Sequence, residues 1–186
     1  MFHIIDFGSR KVPLIAEMLH SLGNETRIHK WNDIDYLSLR KSQGIVLSGS
    51  PAYLTEIDHE PYETHCGFLR DTSLPVLGIC FGHQILGILH GAEIYRGPEI
   101  RGSNSLQLLA KDPLFENFDS TMEVKEDHTE GISLPKGFIH LASSASYPNE
   151  AMKHPEKKMW GIQFHPEVSG ETGRLILGNF CKLAKA

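Results

Sequence analysis

Apolar and polar residues follow two rhythms along the first half of the chain. FHIID (Phe2–Asp6), GIVLS (Gly44–Ser48) and LPVLGI (Leu74–Ile79) are short, nearly continuous apolar runs, as expected of strands buried on both faces. KVPLIAEMLHSLG instead spaces its apolar residues helically and stops at Gly23, a suitable C-cap. ETRIHKW alternates like a strand. PYETHCGFLRDT reads as helical, and HQILGILHG as a helix ending at Gly91. Short apolar strands separated by helices predict a parallel sheet covered on both faces.

From about Ala92 the texture changes. RGPEIRGSNS is turn-rich, and it lies among the strand candidates SLQLLA, GFIHLASS and KMWGIQF. These predict an antiparallel extension of the same sheet. The last segment, ETGRLILGNFCKLAKA, is amphipathic at helical spacing. With no linker and no repeat, residues 1–186 read as one α/β domain: an open, mostly parallel central sheet with helices on both faces and an antiparallel extension.

Composition works mainly by exclusion. At 40% hydrophobic the chain can bury an ordinary core. A net charge of −5 without Lys/Arg runs argues against nucleic acid as a partner. No apolar run approaches the roughly 18 residues of a membrane span, and MFHIIDFGSR is not a secretory signal, so a cytoplasmic location without membrane contact is expected. The three cysteines, Cys66, Cys80 and Cys181, form no Cys-x-x-Cys pair, which suggests neither a disulfide framework nor a zinc knuckle. Eleven histidines are scattered without an HExxH, so no metal site is expected.

Chemistry concentrates in PVLGICFGHQ (Pro75–Gln84). Gly78-x-Cys80-x-Gly82 sits where a buried strand meets a helix, the pattern of a nucleophile elbow. The glycines admit close neighbours at a tight turn, and the helix start favours thiolate. Cys66 and Cys181 lack this context and read as small buried hydrophobes; the same reading of Cys80 is outweighed by its flanks. WGIQFHPEV (Trp160–Val168) supplies a base. On an extended backbone His165 and Glu167 point to one side, Pro166 ends the strand, and Glu167 would fix the tautomer of His165. A third stretch, LSGSPAY (Leu47–Tyr53), ends a buried strand at Gly49-Ser50-Pro51. It is either a plain turn or a loop that presents a backbone N–H.

GICFGHQ together with GIQFHPE resembles the class I, or triad, glutamine amidotransferases, and the likeness runs the length of the chain. DFGSR, LSGSP and EAMKHPEKKMWGIQFHPEV are most similar to the GMP synthetase branch, the last to its stand-alone archaeal subunits. The resemblance implies a flavodoxin-like fold and a thioester mechanism on glutamine. Cys80 attacks the side-chain amide, His165 protonates the leaving ammonia and then activates water, and Glu167 completes the triad. It also implies oxyanion donors at the Ser50 and Phe81 N–H groups. Substrate contacts are implied at Gly49, Gln84, Asp127, His128 and Thr129. No cofactor is implied in this chain; ATP and Mg²⁺ would belong to a separate ATP-pyrophosphatase that converts XMP to GMP.

The chain departs from that branch at Ser50 (usually Gly), Arg10 (usually Gln) and Asp127-His128 (usually Ser-His). A positive φ at Ser50 would cost about 1 kcal/mol. Asp127 would either repel the substrate carboxylate or receive its ammonium, and sequence leaves both open. The departures also admit a free-standing hydrolase of another γ-glutamyl compound, or a chain serving a different synthetase. A non-catalytic regulatory module is a third reading, disfavoured by the intact Cys80, His165 and Glu167.

Overall fold

In the computed structural model, which describes residues 1–186, the apolar runs become strands and the helically spaced segments helices. The first half contains β1 (Phe2–Asp6), α1 (Val12–Ser21), β2 (Thr26–Lys30), α2 (Tyr36–Leu39), β3 (Gly44–Leu47), α3 (Glu60–Cys66), β4 (Val76–Ile79) and α4 (Phe81–Leu89). The second half contains β5 (Ile94–Leu108), β6 (Thr121–Ile132), β7 (Ile139–Ser143), β8 (Ala151–Lys153), β9 (Met159–Ile162) and α5 (Gly170–Lys185). All nine strands join one sheet in the order β2-β1-β3-β4-β9-β8-β7-β5-β6. From β2 to β9 the pairs are parallel; beyond β9 they are antiparallel. This is the expected mostly parallel sheet with its antiparallel extension.

Alternation along the parallel strands divides the core in two. Phe2, Ile4, Val46, Leu77 and Ile79 pack with Val12, Ile15 and Leu19 of α1 and with Ile176, Leu177 and Phe180 of α5. Ile5, Ile45, Leu47 and Val76 turn the other way, onto Cys66 and the α4 residues Ile85, Leu86 and Leu89. Helices therefore cover both faces, which is why these strands read as continuous apolar runs.

Two parts of the second half differ from the sequence reading. RGPEIRGSNS is part of β5 rather than a turn. Gly97 and Pro98 fall in the register irregularity between Arg96 and Ile100, a bulge that tolerates a missing N–H. The Tyr147 hydroxyl donates to the Pro98 carbonyl at 2.7 Å, and its ring leaves no room for a Cβ at residue 97. Strand β6 went unread because its inward positions include Glu126, His128 and Glu130, so its alternation is real but not apolar.

The parallel strands deliver the loops after β1, β3, β4 and β9 to one edge of the sheet. The chain runs outward from β1 to β2 and then returns to β3, making the reversal of strand order where open α/β sheets bind ligands. The turn after β9 is fixed from behind by α5. A Cβ on Gly173 would overlap the Pro166 carbonyl outright, whereas one on Gly178 would meet nothing closer than Leu22 Cδ2 at 3.7 Å. Gly173→Ala is expected to destabilise the fold by about 1–3 kcal/mol through overpacking. Gly178→Ala is expected to stabilise it by about 0.5–1 kcal/mol as a helix-interior glycine replaced by alanine. Denaturant unfolding of the two variants measures both.

Candidate active site

Cys80 lies between β4 and α4 at φ 51° and ψ −106°, a backbone conformation that costs a residue with a side chain. Its N–H donates to the Ile162 carbonyl of β9 at 2.8 Å, and the Gly82 N–H to the Ser48 carbonyl at 3.0 Å. These bonds pin the reversal from two neighbouring strands. A Cβ on Gly78 would stand 2.6 Å from the Gly82 carbonyl oxygen, and one on Gly82 would stand 2.6 Å from that of Leu47. Both glycines are thus required by close approach. The expected elbow is present, with α4 starting at the next residue.

His165 arrives from the end of β9. Its N–H donates to the Lys125 carbonyl at 2.9 Å, and its own carbonyl accepts from Ser169 Oγ at 2.7 Å. Its Nδ1 meets Glu167 Oε1 at 2.7 Å. The pair forms across a 3₁₀ turn at Pro166–Val168 rather than along an extended strand, so the two-residue spacing works by a different local geometry. Burial alone would lower the His165 pKa. The Cys80 sulfur and the Glu167 carboxylate outweigh it and raise the value to about 10, favouring the imidazolium beside the sulfur.

The LSGSPAY loop closes over this pair. Ser50 has no positive φ, so the feared strain is absent, and its Oγ accepts the Ala52 N–H at 3.1 Å, shaping the turn. Gly49 also has no positive φ. It is needed for space, because its Cβ would lie 3.1 Å from His165 Cε1 and 3.7 Å from Cys80 Cβ. Neither the Ser50 N–H nor the Phe81 N–H has an acceptor within the protein. Both residues line a cavity of about 550 Å³ with Cys80 and His165.

The expected substrate residues separate. Gln84 lines the cavity, but its amide nitrogen is committed to the Glu130 carbonyl at 3.0 Å and to Gln163 Oε1 at 3.1 Å; its oxygen is the group left for a ligand. Thr129 also lines the cavity, its hydroxyl buried and unpartnered. Asp127 faces it in an ion pair with Lys11. His128 differs from expectation: alternation along β6 turns its ring inward, where Nδ1 meets the Glu130 carbonyl at 3.0 Å and Nε2 meets Glu126 Oε2 at 3.3 Å. It reaches the cavity wall with both ring nitrogens engaged.

Three contributors escaped the sequence reading. Gln163 Nε2 donates to the Cys80 sulfur at 3.6 Å, and its position inside GIQFHPE was the available signal. Ser48, fully buried, accepts the Phe7 N–H at 2.9 Å and donates to the Gly49 carbonyl at 2.8 Å, joining two site loops. Glu130 accepts the Leu54 and Thr55 N–H groups at 2.7 and 2.9 Å, tying the β3 loop to β6. Behind the cavity Glu126, His128 and Glu150 bring ligand-type atoms within 4.8 Å of one another. Burial and the neighbouring Glu126 push Glu150 up to about 8. A proton shared by the two carboxyls satisfies this group without an ion.

A strained cysteine turn, a buried His–Glu pair and two unpartnered N–H groups around one cavity define a thiol-dependent acyl-transfer site. The Glutamine amidotransferase class-I family pattern matches residues 3–183, and the chain belongs to that family. It is 34% identical over 187 residues to the separately encoded glutamine-hydrolyzing GMP synthase subunit of Pyrococcus furiosus, with 98% of each chain covered. The GMP synthase (glutamine-hydrolyzing) of Aliivibrio fischeri is 31% identical across 95% of this chain, but across only 34% of its own length. A solved structure from Thermoplasma acidophilum, provisionally described as the corresponding GMP synthase subunit, matches with TM-score 0.90 at 28% identity. That match covers 99% of this chain and 93% of the other.

The electrostatic coupling around His165 is directly measurable. Followed by NMR of labelled histidine, its imidazole is expected to stay protonated well above pH 8 and to titrate near 10. In Cys80→Ala the leading charge partner is gone while burial remains, so the titration is expected to move down. Glu167→Gln moves it in the same direction.

Proposed function

We propose that this chain is the glutamine-hydrolysing component of a two-subunit GMP synthase, releasing glutamate and ammonia. Ammonia passes to a separate ATP-pyrophosphatase subunit that converts XMP to GMP. The observation that carries the reading is the convergence of Cys80, the His165–Glu167 pair and the free Ser50 and Phe81 N–H groups on one cavity. The two-chain arrangement is supported by end-to-end similarity to the Pyrococcus furiosus relative. We assign ATP and Mg²⁺ to the partner and the reaction to the cytoplasm, with no role for nucleic acid or membrane.

In the first step the Cys80 thiolate adds to the γ-amide carbon, and the developing oxyanion takes hydrogen bonds from Ser50 and Phe81. The tetrahedral intermediate collapses with the amide nitrogen leaving as ammonia, its added proton coming from the His165 imidazolium. The now neutral His165 takes a proton from water, which adds to the γ-glutamyl thioester. Collapse of the second intermediate returns sulfur as thiolate and releases glutamate, with Glu167 holding the imidazole throughout. The Gln163 amide hydrogen bonds to the sulfur and favours its anionic form.

The test uses the chain with its synthetase partner. Cys80→Ala is expected to lose glutamine-dependent GMP formation by at least about a thousandfold while retaining synthesis from added ammonium. A Cys80→Ala complex as active with glutamine as wild type would overturn the assignment.

A further inference from the structure

The reacting groups occupy one end of the cavity, and the other end is charged. Lys11 Nζ, from the turn after β1, lies 2.9 Å from Asp127 Oδ2 on β6. Arg101 Nε, on the residue paired with Asp127 across β5 and β6, lies 3.7 Å from Oδ1. All three residues line the cavity with Cys80 and His165. The hydrogen bond from Lys11 outweighs partial burial and, with the charges of Lys11, Arg101 and His165, holds the Asp127 carboxyl below the usual carboxylate range. The other acid of the inner wall, Glu130, is spent on Leu54 and Thr55. Arg10 and Glu99 stand exposed at the rim, with Glu99 Oε1 2.7 Å from Arg101.

Glutamine imposes a simple demand on this layout. With its amide carbon at the Cys80 sulfur, the α-ammonium and α-carboxylate lie together, separated from that carbon by a short methylene stem. They form a cation and an anion side by side. The Lys11–Asp127 pair is the same arrangement built from protein atoms.

We propose that Lys11 and Asp127 read the α-amino-acid head of the substrate: Asp127 receives the ammonium, and Lys11, with Arg101 beside it, receives the carboxylate. The proposal rests on the glutaminase reading above. Binding exchanges one ion pair for two crossed ones, so charge stays balanced. Opening a half-exposed pair costs little, and each new pair is a charge-assisted hydrogen bond. The choice left open by the sequence is thereby resolved. Asp127 does not repel the substrate carboxylate, because Lys11 and Arg101 lie between the two charges.

The experiment measures glutamine cleavage by the chain bound to its synthetase, with two competitors that each lack one charge. Glutaramate keeps the carboxylate and lacks the ammonium; 4-aminobutanamide keeps the ammonium and lacks the carboxylate. Lys11→Met is expected to raise KM for glutamine and KI for glutaramate by about ten- to hundredfold, leaving 4-aminobutanamide within about twofold. Lys11→Arg restores much of the loss. Asp127→Asn is expected to do the converse, weakening glutamine and 4-aminobutanamide while glutaramate holds or tightens. For both variants kcat changes far less than KM. Equal weakening of all three ligands, or no weakening of any, overturns the proposal. A wild-type complex that fails to cleave glutamine overturns the glutaminase reading instead.

Discussion

Between β4 and α4 the backbone reverses at a cysteine held at φ 51°, a conformation costing about 1–3 kcal/mol, and the rest of the site is arranged around keeping it there. Two main-chain bonds, to Ile162 and Ser48, hold it from both adjacent strands. Gly78 and Gly82 let those strands approach. The consequence is chemical as well as geometric. The sulfur stands clear of the sheet edge, and the first turn of α4 leaves its N–H groups free.

That strain is tolerable because the sheet around it is packed on both faces and four strand ends converge there. β1 brings the Lys11 turn, β3 the Gly49–Ser50 loop, β4 the cysteine and β9 the histidine. Each is secured by its own polar contact: Ser48 on Phe7, Glu130 on Leu54 and Thr55, Ser169 on His165. The antiparallel extension, which looks like an appendage in topology, supplies Glu130 and Asp127 and so forms the remaining wall.

The cavity separates two electrostatic tasks. Near Cys80 a buried imidazolium, a carboxylate and free N–H groups manage charge that moves during reaction. Farther out, Lys11, Arg101 and Asp127 form a balanced, more exposed cluster. Desolvation makes the first group strong and position-sensitive; exposure makes the second exchangeable. Ser50 is compatible with this arrangement because its N–H, not its φ, is what the loop contributes.

The amino-acid sequence by itself determined the parallel core, the elbow and the His-Pro-Glu turn. Each depends on local chemistry: apolar runs doubly buried, glycines flanking Cys80, and a proline ending a strand. It also marked Ser50 and Phe81, through the loop and the helix start. Strand β6 and the β5 bulge were illegible because their inward residues are polar and because Gly97-Pro98 imitates a turn. The reason for Gly49 could not be read either, since it lies in the distance to His165 and Cys80 rather than in its own backbone. Only the tertiary structure decided that His128 turns inward, that Gln163 reaches the sulfur and that Lys11 meets Asp127. Those outcomes depend on register and on contacts between elements far apart in the chain, which no local pattern encodes.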